Sequence, residues 1–111
     1  MSKAQSHVEQ DQCQSEELTR LDKELNSIYP IALKSLPEHD EFDPRKQQEQ
    51  LRKSQRAWLK YTQENCSLIG GLEGGESSWV STFSSSCTIE EFKKRITYLR
   101  ELACRSQLPC N

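Results

Sequence analysis

The sequence predicts an all-α protein, a small three-helix bundle with one long Gly/Ser connection between its second and third helices. Three observations predict it. Apolar residues recur every three or four positions in three separate segments. Pro- and Gly-rich stretches separate those segments. The stretch "CSLIGGLEGGESSWVSTFSSSC", Cys66 to Cys87, sets glycines and serines between two cysteines and carries Trp79 and Phe83 inside it.

At 111 residues the chain is sized for one domain. Its hydrophobic share is 33%, against an ordinary ~45–50%, so the core is thin and calls for staples. The reading divides the chain into an N-terminal tail over 1–12, a helical domain over 13–104 and a C-terminal tail over 105–111.

In the first helix, Leu18, Leu21, Leu25, Ile28, Ala32 and Leu36 fall on one face, with Glu16, Glu17, Arg20, Lys23 and Glu24 facing away. Gln12 or Ser15 is expected to begin it, the acids behind Ser15 suiting the positive helix start. Pro30 removes a backbone donor and predicts a kink; Pro37 ends the helix. "PEHDEFDP", with Glu38, Asp40, Glu41 and Asp43, reads as an acidic connection. Asp43 before Pro44 is a helix start. The second helix is expected from Pro44 to Ile69, with Leu51, Trp58, Tyr61 and Leu68 inward, and Gly70-Gly71 stopping it. The third is expected from Thr88 to Ala103, with Ile89, Phe92, Ile96, Leu99 and Leu102 or Ala103 as its apolar stripe.

Several function classes find no support. Lys and Arg number 15 against 17 acids, and no basic stripe interleaves with aromatics, which argues against nucleic acid. No cysteine pair has CxxC spacing, and His7 and His39 lie far from any cysteine pair, so neither a zinc site nor any other cofactor is expected. No nucleophile–His pattern, paired carboxylates or phosphate-binding loop stands out, so the chain does not read as an enzyme. The N-terminus lacks an apolar signal region, and no segment is apolar over the length that a membrane span needs; a mature exported form would look the same.

Three segments, "LDKELNSIY", "LRKSQRAWLKYTQENC" and "CTIEEFKKRITYL", resemble the LprI-type lysozyme-inhibitor family of small exported bacterial domains. Cys13, Asp22, Leu25, Asn26 and Tyr29 match its first element. Leu51, Gln55, Arg56, Trp58, Tyr61 and Cys66 match its second. Gly74, Gly75, Cys87, Arg95 and Leu99 fit the third. Departures include Thr62-Gln63 in place of an Arg-Asp pair, and Pro30. The resemblance covers about residues 13–102 and implies a periplasmic or secreted domain whose protein partner is a lysozyme; the expected mechanism is steric occlusion. The alternatives are an envelope structural or stress-related interaction module, or an immunity or adaptor protein with reduced cysteines.

Export would put the cysteines in an oxidising compartment. Cys66 and Cys87 are then the first expected disulfide, making the Gly/Ser stretch a clasped loop. Cys104 and Cys110 form a local bridge, and Cys13 is the odd thiol. Trp58 is expected in the core against Leu25 or Leu99. Asn26 and Gln55 are expected to bond each other or backbone, with Arg95 joining them or pairing with Asp22; with Tyr29 these form a structural motif. Trp79 and Phe83, flanked by Glu73 and Glu76, are the candidate partner-binding residues, because loop aromatics are favoured contacts.

Overall fold

The structure, a computed structural model, describes residues 7–36, 44–75 and 78–105. The expected bridge partner Cys110, the acid Glu76 and the acidic connection 38–43 lie outside the described residues. Three helices make up the fold: α1 (His7–Lys34), α2 (Pro44–Gly74) and α3 (Val80–Arg105). The molecule measures 58 × 28 × 17 Å. α3 packs against both other helices, which hardly touch each other. The bundle is therefore a flattened one with α3 as its spine.

The core is one cluster along that spine. α1 contributes Leu21, Leu25 and Ala32; α3 contributes Phe92, Ile96, Leu99 and Ala103; α2 contributes Leu51. Ile28, Tyr29, Trp58, Ile89 and Leu102 pack against its edge. The stripes read for α1 and α3 are the stripes that are buried. Across the α1–α3 seam Arg100 also pairs with Glu24.

α2 starts at Pro44 as expected, but each helix departs from expectation at one end or both. α1 begins at His7, inside the expected tail. Its first turns dock on α3: the Ser81 and Thr82 hydroxyls donate to the Asp11 carboxylate at 3.2 and 2.6 Å, and Gln14 Nε2 donates to the Thr82 carbonyl at 3.1 Å. These contacts satisfy buried Thr82 and place a carboxylate beside the positive start of α3. α1 also runs through Pro30, which is exposed, so water can satisfy the carbonyl that the missing N–H leaves.

The larger correction concerns the 70–86 stretch, which is mostly helix. α2 continues through Gly70 and Gly71 to Gly74, and α3 starts at Val80, eight residues before Thr88. Thr88 is no cap; its hydroxyl donates to the Ser84 carbonyl within α3. The glycines act by their size. A Cβ on Gly70 would lie 2.8 Å from the Val80 carbonyl oxygen, and one on Gly74 would lie 2.5 Å from Val80 Cα. Two bare backbones one turn apart let α2 and α3 meet closely, and that contact outweighs glycine's poor helix propensity. Gly75, at φ +60°, then turns the chain.

Close approach there swings the buried line of α2 through Thr62, Cys66, Gly70 and Gly74. Tyr61 and Leu68, expected inward, are left 53% and 57% exposed. The disulfide between Cys66 and Cys87 is present, with Cα atoms 5.4 Å apart. It clasps a tight helical elbow in place of a long loop.

Candidate functional site

Two constellations stand out, both on the α2–α3 half of the molecule. The first is the elbow. Gly70, Gly74 and Val80 hold the helices together at the tip, and the Cys66–Cys87 bridge locks them two turns further in. Trp79 and Phe83 stand one turn apart where α3 begins; the Phe83 N–H donates to the Trp79 carbonyl at 3.0 Å. Their rings lie 6.4 Å apart, tilted by 45°, and both side chains are half-buried. Glu73 is exposed on the last turn of α2. Of the four expected partner-binding residues, Glu73, Trp79 and Phe83 thus gather at this tip, on helix ends.

The second constellation surrounds Arg95. Its Nε donates to Gln55 Oε1 at 2.8 Å and its Nη2 to Ser54 Oγ at 3.0 Å. The guanidinium carbon lies 4.8 Å from the Tyr98 ring centre and 5.7 Å from that of Trp58. Trp58 in turn packs on Phe92, ring centres 5.2 Å apart, at the edge of the core cluster that holds Leu25 and Leu99. Burial pulls the Arg95 pKa below its usual value, with Tyr98 and Tyr29 nearby opposing the shift.

The motif residues therefore divide. Tyr29, Gln55, Trp58 and Arg95 converge from three helices. Asp22 and Asn26 stay on the exposed face of α1, where Asn26 Nδ2 donates to Asp22 Oδ2 at 3.4 Å. Asn26 does not meet Gln55, because the flattened packing keeps that face of α1 away from α2, and Arg95 turns toward Gln55 and Ser54 of α2, not toward exposed Asp22. Ser54 and Tyr98 are additions that sequence reading missed. Tyr98, three residues after Arg95, was within helical reach of it.

Cys13 is a free, exposed thiol on α1. Cys104 is disulfide-bonded. An open groove between α1 and α3 is lined by Asp11, Ser15, Asp22 and Thr88. No group of three or more His, Cys, Asp or Glu among the described residues could hold a metal ion. No described helix is long and apolar enough to cross a membrane.

Residues 1–99 match the model of a family described as lysozyme inhibitor LprI. An uncharacterized protein of Rhizobium meliloti (strain 1021) is 30% identical over 106 residues, covering 90% of this chain and 76% of the relative. No solved structure matches.

Proposed function

The chain belongs to the LprI lysozyme-inhibitor family, and from that premise we propose that it is an exported protein-binding domain that inhibits a lysozyme by covering its substrate cleft. The observation that carries this reading is the family match over residues 1–99. The clasped elbow supports it. An occluding protein must present a surface that holds its shape, since ordering a loose one on binding costs affinity. A bridge and two close-packed glycines fix this tip, and the disulfide suits an oxidising compartment. Trp79, with its ring 6.4 Å from that of Phe83, is the contact residue at the tip. Glu73 and Glu76 steer approach to a basic enzyme surface.

The test is a titration of the oxidised protein into a panel of basic and bacterial-type lysozymes, following cell-wall lysis. Saturable inhibition near one-to-one is expected. Trp79→Ala should weaken it by about 2 kcal/mol or more, roughly thirtyfold. Unchanged inhibition by that variant removes Trp79 from the contact. No inhibition across the panel, with the bridge intact, moves the reading to an envelope interaction module.

A further inference from the structure

The fold leaves the chemistry of Arg95 incomplete. A guanidinium carries about five N–H donors in a fixed fork. Arg95 uses one on Gln55 and one on Ser54, and both acceptors are neutral. Arg20, Arg52, Arg56 and Arg100 each lie beside a glutamate. Among the described residues no carboxylate pairs with Arg95. Yet Arg95 is the more buried cation, and a desolvated charge is ordinarily offset by an opposite one. Its neighbours hold it in place without cancelling its charge.

The surroundings resemble a contact surface. Tyr98 is 45% exposed beside the guanidinium. Tyr61 is exposed one turn beyond Trp58 on α2. Leu68 and Leu72, at 57% and 70% exposure, follow at seven and eleven residues, which keeps them on one helical line. That strip runs about 16 Å toward the elbow. α2 is an edge helix, so nothing described in the chain covers its outer flank. Trp, Tyr and Arg are also the residues that dominate binding hot spots.

We propose that the Arg95–Trp58–Tyr98 cluster is the anchor by which this chain grips the acidic floor of a lysozyme cleft, the guanidinium forking onto a carboxylate there. This deepens the inhibitor reading and rests on it. Lysozymes cleave with a pair of carboxyl groups flanking the scissile bond, one of them ionised at neutral pH. The cleft therefore supplies the anion that the bundle does not, in the planar form that a guanidinium binds bidentately. The charge layout agrees: Glu73 at the elbow faces a basic enzyme rim while the fixed cation meets the acidic floor. Arg95 lies about 24 Å along α3 from Trp79 and roughly 160° around the helix from it, so the cluster is a contact separate from the tip and its loss is read separately.

The experiment is calorimetric binding of the oxidised protein to a lysozyme from the inhibited panel, and to the same enzyme with both cleft carboxylates changed to amides. Tyr98→Ala, which removes an exposed ring, and Arg95→Lys, which keeps the charge but loses the fork, are compared alongside. The expected result is at least about tenfold weaker binding for each variant and for the amide enzyme. Tyr98→Ala should still melt cooperatively, only a few degrees below the parent, since it loses one exposed cation–π contact. Parent-like binding by the folded variants, or undiminished binding to the amide enzyme, overturns the anchor and leaves lysozyme inhibition standing. Should Arg95→Lys fail to fold, Tyr98→Ala and the amide enzyme decide. If the parent protein binds no lysozyme of the panel, the inhibitor reading falls and the anchor falls with it.

Discussion

Thr62 lies on the buried line of α2. It is 1% exposed, and its hydroxyl has no hydrogen-bond partner among the described residues. A buried, unpaired polar atom costs ~1–3 kcal/mol. Thr62→Val removes it at nearly constant shape, so stability to urea should rise by about 1 kcal/mol. A fall would mean that the hydroxyl has a partner. Leu99 is the opposite case. It is fully buried in the core cluster on the α3 spine. Leu99→Ala should cost ~3–5 kcal/mol, a large part of the ~5–10 kcal/mol that a domain of this kind has. A loss under about 1 kcal/mol, read from the urea midpoint, would show that the site collapses around the missing side chain.

At the scale of the element, glycine in α2 means different things a residue apart. Gly71 faces open space, with nothing within 4 Å of an added Cβ. Gly71→Ala should stabilise the helix by about 0.5–1 kcal/mol. Gly70→Ala and Gly74→Ala push a methyl group into the backbone of α3 and should destabilise by more than that gain, about 2 kcal/mol or beyond. Thermal melts of the three variants separate the cases; three stabilised proteins would disprove the close seam. The same residues explain what the sequence could and could not reveal. Helical period in Leu18–Leu36 and Ile89–Ala103 made α1 and α3 legible, because those apolar faces are the buried ones. "GGLEGGESSW" reads as a loop because glycine and serine punctuate chains locally, and only the approach of a second backbone turns its glycines into a contact. The Arg95 cluster was half legible: Gln55, Trp58 and Arg95 carried the motif, but Ser54 and Tyr98 declare themselves only once α2 lies beside α3.

The whole molecule is held unevenly. The α1–α3 seam contains most of the buried apolar side chains, the Asp11 contacts to Ser81 and Thr82, and the Arg100–Glu24 pair. α2 brings one buried aliphatic residue, Leu51, with Thr62, Cys66 and the half-buried Trp58, and gains almost nothing from α1. Its attachment therefore leans on the Cys66–Cys87 bridge, whose cysteines are 21 residues apart in sequence. Closing a loop of that size is worth about 3 kcal/mol in the chain-entropy model. Replacing both cysteines by serine should remove about that much, and the loss should be concentrated in α2. Hydrogen exchange reads this directly, because opening free energies differ between cooperative units. Amides of α2 from Leu51 to Gly70 should lose protection by about a hundredfold, while those of α1 from Leu21 to Ala32 change less. An equal loss in both helices would mean that the three helices open as one unit and that the spine carries α2 without the bridge's help.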